Sequence, residues 1–461
     1  MNRRSFIKNT SISIGVGSIT GISFGKQSSI NSKSNESLTN LPEIINPSDE
    51  DFWDKIRTYY PRTPGIINLE NGYFSHQAQP VLDFHQKLEA EINMKNSLFM
   101  RKEQDTRVEE IREKFARYQN CSAENVAFTR NTTESLNTII MGFPWQKNDE
   151  VILGDQDYGS MVEAFTQAKN RWGIRLVVAK VPYQNHINIE EETIQSYLKL
   201  ITPNTKMVHL THPINLNGQG IPINKIISQI RKINPDICIV IDAAHALSHL
   251  SDSIGSLEAD VIGSSLHKWT GNPLGLGCLY IKKEWIPNIW PLMGDVGKDI
   301  NNIRRFEHQG TRPIQSIMTL EKAIEFNEKI GLQNRYYRLL YLKYIWQGNR
   351  EGLANLSKLS GLKLTIPNQL REDHTKSNKI TFLHPTNSFA NQGAISTFSI
   401  EGKSPNQIAD SLENEFNIFS VAINHPVIKG VRITPQLSNS IEDVLALNTA
   451  ITAMIKNEKS N

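Results

Sequence analysis

Seven short apolar segments, spaced along the first two thirds of the chain, constrain its fold more than any other feature. They are NVAFT (125–129), EVILGD (150–155), RLVVAKV (175–181), KMVHLTH (206–212), ICIVIDAA (237–244), DVIGSSL (260–266) and GCLYIK (277–282). Amphipathic helical patterns such as SMVEAFTQAKNRW and INKIISQIRKIN lie between several of them. Near-continuous Val/Ile strands alternating with helices predict an α/β fold whose mostly parallel sheet is covered on both faces. In such sheets ligands collect at the carboxyl ends of the strands, which is where this chain keeps its polar exceptions. After about Leu332 the pattern changes to a long helical stretch (NRYYRLLYLKYIWQGNREGLANL). Two shorter strands (ITFLHP, AISTFSIEG) and a last helix from Ile441 follow. This predicts a smaller C-terminal α+β domain.

The composition excludes several classes of protein. Lysine and arginine total 50 against 47 acids, well interspersed, which leaves no footprint for nucleic acid. Cys121, Cys238 and Cys278 lack metal-ligand spacing, so no metal is expected. No apolar run reaches the roughly 18 residues of a membrane helix. At the N-terminus, Arg3-Arg4-Ser5-Phe6-Ile7-Lys8 precedes a mildly apolar Gly/Ser-rich stretch. It resembles a twin-arginine export signal, which implies recognition by that export machinery, transport in the folded state and a periplasmic location. The resulting organisation is a signal over 1–30, a linker and N-terminal segment over 31–60, a large domain over 61–331 and a small domain over 332–461.

Three signals at strand ends carry chemistry. Arg130-Asn131-Thr132-Thr133-Glu134-Ser135 joins a strand to a helix with a capping-box-like pattern, and its free N–H groups and hydroxyls suit an anion. Taken alone, that pattern is explained better by ordinary capping. Asp242 ends an almost wholly apolar strand, and His245 follows three residues later. An unpaired carboxylate there would be costly, so it requires a cation, hydrogen-bond donors or a ligand. Lys268 ends the next strand, where burial lowers an ammonium's pKa and leaves an amine nucleophile. Together these fit a planar cofactor with a phosphate at one end, a basic ring nitrogen at the other and a carbonyl that a lysine captures. Pyridoxal phosphate has that shape. A dinucleotide-dependent oxidoreductase lacks its fingerprint, because no G-x-G-x-x-G follows the first strand.

NTTESLNTI, DAAHA and SSLHKW followed by GNPLGLGCLYI resemble the class V aminotransferase group of fold-type I pyridoxal-phosphate enzymes, especially its isopenicillin N epimerase-like branch. The resemblance implies that Lys268 captures the cofactor and shuttles the substrate's α-proton, and that Asp242 keeps the pyridine nitrogen protonated. Thr132, Thr133, Ser265 and His267 would bind the phosphate. His245 would lie near the phenolic oxygen, with Asn215 close to the position that usually contacts it. Tyr158 would stack on the ring. Thr311 would lend a phosphate contact across a homodimer interface, giving a shared active site. Asn71 would approach a small-molecule amino substrate, and Arg432 would take its carboxylate through a bidentate fork. Thr434 and Gln436 replace the serine and histidine expected after that arginine.

Aminotransferase, epimerase and lyase chemistry on an amino acid or aminated small molecule all remain open. Cysteine desulfurase action is not expected, because no cysteine follows Cys278 to serve as the mobile nucleophile. The alternative is a non-catalytic protein that keeps this fold for binding.

Overall fold

A computed structural model describes residues 44–184, 188–295, 297–370, 372–385 and 393–456. The twin-arginine motif lies outside these residues. All seven strands expected from the apolar segments form: β1 (Val126–Thr129), β2 (Glu150–Gly154), β3 (Arg175–Ala179), β4 (Thr205–Thr211), β5 (Cys238–Asp242), β6 (Val261–Ser265) and β7 (Gly277–Ile281). They make one sheet in the order β1-β7-β6-β5-β4-β2-β3. Only β7 runs antiparallel to its neighbours.

The alternation within β5 shows why the sheet is a central layer. Ile239 and Ile241 pack against the apolar layer that includes Phe115, Ile226, Ile230 and Leu320. Cys238 and Val240 point the opposite way, into the layer of Leu136, Ile139, Met161 and Phe165. A strand with apolar residues on both faces can be stable only with helices on both sides.

The C-terminal part folds around a second sheet of four antiparallel strands, β8 (Ile380–Phe382), β9 (Ser396–Ile400), β10 (Val421–Asn424) and β11 (Lys429–Ile433), in the order β10-β11-β9-β8. Its apolar face meets the helices Leu332–Gln347, Pro405–Phe416 and Ile441–Lys456. Two of the four strands and the helix Pro405–Phe416 were not expected from the sequence. That helix is nevertheless well specified, with Pro405 in its first turn and a capping box between Ser404 and Gln407.

The N-terminal part of the described chain is tied to this second sheet. Within the span read as linker and N-terminal segment, Glu50–Arg57 is a helix capped by Asp49, with Trp53 buried. Arg338 holds it by donating to Pro47 O and to both oxygens of Glu50. Ile67 and Asn68 pair in parallel with Ile418 and Phe419, and Glu70 bridges Thr434. This second pairing brings residues from both ends of the chain to one wall of a cavity.

Candidate active site

Because β1, β4, β5 and β6 run in the same direction, their carboxyl ends share one edge of the sheet. Thr211 lies opposite Asp242, and Asp242 opposite Gly263. At that edge opens a cavity of about 340 Å³, lined among others by Thr132, Thr133, Tyr158, Asp242, His245, Ser265, His267, Lys268 and Arg432. Nine of the expected site residues thus meet in one place, together with Asn215.

At the anion end, Asn131 caps the helix Thr132–Gly142 by accepting the Glu134 N–H at 2.9 Å. Thr132 donates its backbone N–H to Ser265 Oγ at 2.9 Å, and the two hydroxyls lie 2.7 Å apart. The loop can come this close only because residue 277 is glycine: a Cβ there would lie 2.6 Å from the Asn131 backbone. Beyond Lys268, the backbone turns through Gly271 and Gly275 at φ +73 and +87, a region that disfavours residues with a Cβ.

Deeper in the site, Asp242 accepts the Ala244 N–H at 3.0 Å. Burial lifts its carboxyl above the ordinary range, while His209, the Ala244 N–H and Lys268 pull the other way. His209 Nδ1 itself donates to Asp157 Oδ2 at 2.8 Å, one residue before Tyr158. The Lys268 ammonium is pushed down to about 8, mainly by burial and further by Arg432, with Asp242 and Glu70 opposing. Lys268 Nζ lies 3.0 Å from His245 Nε2. His245 is driven well below the usual imidazole value, first by burial and then by Lys268 and Arg432. Burial likewise takes His267 down to about 4, with Lys268 adding to it.

Arg432 reaches the cavity from β11, paired with Glu70 at 2.6 Å and donating to Asn215 O at 3.0 Å. Glu70 was not anticipated. It lies in the INLENGYFS segment, but 362 residues separate it from Arg432, so only the fold brings the two together. Trp269, Gly72 and Tyr73 were also missed as parts of the site.

Two expected residues are placed elsewhere. Asn71 is fully buried behind the wall, its amide donating to Thr434 O at 2.9 Å, and its neighbours Gly72 and Tyr73 line the cavity instead. Pairing of the backbone with the second sheet turns its side chain inward. Thr311 is exposed and does not line the cavity of its own chain.

Among the described residues, three buried polar atoms on the cavity lining lack a hydrogen-bond partner: His267 Nδ1, Asn215 Oδ1 and Arg432 Nε. Buried polar groups are nearly always satisfied, and these three belong to residues that line a cavity with several other polar groups. Pyridoxal phosphate fits them: hydroxyls and a helix N-terminus for its phosphate, Asp242 for its ring nitrogen and Lys268 for its aldehyde.

Comparison with known proteins agrees. The chain is 32% identical over 236 residues to a probable cysteine desulfurase of Mycoplasma genitalium, covering 48% of this chain and 56% of that protein. It is 22% identical over 291 residues to the hercynylcysteine sulfoxide lyase of Schizosaccharomyces pombe, covering 61% and 73%. The chain spans about half the length of the first curated relatives it matches. The structure of the cysteine desulfurase CsdA from Escherichia coli superposes with a TM-score of 0.70 at 18% identity, covering 90% of this chain and 99% of that one.

These likenesses correct one expectation. Cysteine desulfurases were set aside because no cysteine follows Cys278, yet proteins of that name are among the relatives. The missing cysteine concerned a single assumed nucleophile downstream of the lysine, whereas the match to the family takes in residues 75–348, the sheet edge and the lysine segment among them. Residues 75–348, more than half of the chain, match the family described as aminotransferase class V. The chain therefore belongs to the class V aminotransferase family, whose cofactor is pyridoxal phosphate.

Proposed function

We propose that this protein is a pyridoxal-phosphate-dependent lyase acting on a carboxylate-bearing amino acid. The observation that carries this reading is the single cavity joining Lys268, Asp242 and the Thr132–Ser265 cradle to Arg432. Relatives named for removing or releasing sulfur from cysteine-type compounds favour lyase action among the family's reactions.

When bound, pyridoxal phosphate supplies an aldehyde and an electron-withdrawing ring. The protein's residues do the rest. Thr132, Thr133, Ser265 and the helix N-terminus bind the phosphate, with His267 beside them. Asp242 keeps a proton on the ring nitrogen by holding a negative charge against it in a buried setting. Lys268, whose ammonium sits near 8 so that the free-amine fraction grows as pH rises past neutrality, would hold the aldehyde and move a proton at the substrate's α-carbon. Tyr158, at the mouth, covers one face of the ring. Arg432 orients the substrate carboxylate.

Lys268→Ala tests this most directly. Native protein supplied with pyridoxal phosphate is expected to be yellow. Borohydride should bleach the colour and leave the cofactor's mass on the peptide carrying Lys268. The variant should show no such adduct and lose turnover by about 10³-fold or more. Colourless native protein without the adduct would refute the proposal. The epimerase-like branch, argued from DAAHA and SSLHKW, predicts instead that α-proton exchange in deuterium oxide is accompanied by racemisation.

Two further parts of the reading concern context. Thr311 contacts the phosphate of a second copy in a homodimer; sedimentation should then give twice the mass of one chain. The Arg3-Arg4 motif directs export of the folded protein to the periplasm. Replacing both arginines by lysine should leave it in the cytoplasmic fraction.

A further inference from the structure

Protons around Lys268 can be assigned from groups that have only one hydrogen-bonding role. An indole nitrogen donates and never accepts. Trp269 Nε1 lies 3.1 Å from His245 Nδ1, so that nitrogen must accept. A neutral imidazole that accepts at Nδ1 carries its proton on Nε2. His245 Nε2–H then faces Lys268 Nζ at 3.0 Å. Two donors repel at that distance, and the contact becomes a hydrogen bond only if Nζ offers a lone pair.

The other assignments fail on the same geometry. An imidazolium would point an N–H at the indole N–H. An ammonium donating to Nε2 would force the imidazole proton onto Nδ1, against the indole again. Turning the ring over would leave the buried indole N–H facing carbon.

The indole is itself held in place. It stacks on His249 with ring centroids 3.7 Å apart and planes 5° from parallel. His249 Nδ1 donates to His245 O at 2.7 Å, since a carbonyl can only accept. Its Nε2 accepts the Ala394 N–H at 2.6 Å. Arg335 donates to Trp269 O at 2.8 Å. His245, His249 and Trp269 are each at most 3% exposed, so water does not compete for these bonds.

We infer that Trp269 is a positioning residue: its N–H locks His245 in the Nε2–H tautomer, and that tautomer holds Lys268 as the free amine. The charges around Nζ act in both directions. Asp242 and Glu70 favour the ammonium, while Arg432 and burial disfavour it. Burial, and the fixed charge of Arg432, oppose a second proton on the His245 ring. The tautomer lock therefore reinforces a balance that burial alone leaves contested. The consequence for amine capture rests on the proposed function; the tautomer does not.

Trp269→Phe keeps a ring to stack on His249 and removes the N–H. The pH midpoint for capture of added pyridoxal phosphate by Lys268, read as borohydride-fixed mass, should rise by about one unit. The reason is that the released imidazole can now accept from the ammonium. In native protein labelled with ¹⁵N-histidine, His245 should show its proton on Nε2. A folded variant with an unshifted midpoint overturns the inference, as does a native His245 proton on Nδ1. Should the variant not fold, the ¹⁵N measurement decides alone. Native protein that captures no pyridoxal phosphate at any pH sinks the cofactor reading, while the tautomer remains testable.

Discussion

The cavity has two halves built by different means. Its half proposed to hold the cofactor is built from residues between Thr132 and Lys268, at or just past the carboxyl ends of parallel strands. Its substrate half joins residues near the two ends of the described chain, Glu70 to Tyr73 and Arg432, through a two-residue strand pairing and a single bridge. In the first, parallel strands in register place each group with the accuracy of a backbone ladder. In the second, position depends on how the N-terminal segment docks on the C-terminal sheet.

The comparison can be broken at either half. The largest effect is expected at Arg432→Lys, which replaces a planar fork by a point charge. The KM for a carboxylate substrate should rise about 10–100-fold, the worth of a charged hydrogen-bond pair, with cofactor capture unchanged. A simultaneous loss of cofactor would show that the halves are not independent. Gly277→Ala should act on the other half. Its Cβ would press on the Asn131 backbone, lowering stability by about 1–3 kcal/mol in denaturant melts and weakening phosphate binding more than substrate binding. The smallest effect belongs to Glu70→Gln. Glu70 occupies part of the Arg432 fork, so neutralising it should lower KM by about fivefold, the ~1 kcal/mol net worth of one hydrogen bond, without changing kcat. A raised KM would mean that Glu70 orients Arg432 rather than competing for it.

Reading pH dependence from Lys268 sharpens the cofactor half. Its conjugate acid sits near 8 instead of 10.5, so the amine fraction, and with it the rate of aldehyde capture, should climb as pH rises through 8. The folded protein binds fewer protons at this site than the unfolded chain between those values. This group therefore makes stability rise with pH across that window.

The sequence by itself determined the large sheet, because uninterrupted Val/Ile runs admit no other covered arrangement. It also marked Asp242 and Lys268 as groups in need of a partner, because a carboxylate or a lysine at the end of an apolar strand is costly to bury alone. Both signals are local: each residue's meaning is set by its immediate neighbours in the chain. Tertiary structure decided what those neighbours could not. Strands β10 and β11 are short and partly polar, so their pairing is defined by the sheet they join. The Glu70–Arg432 pair and the inward turn of Asn71 depend on contacts between chain segments several hundred residues apart. Trp269 stood in plain view beside Lys268, but its bond to His245 required the loop after β5 to lie against the loop after β6. Periodicity and burial are written residue by residue, whereas the direction of a hydrogen bond across the fold exists only once the chain has closed.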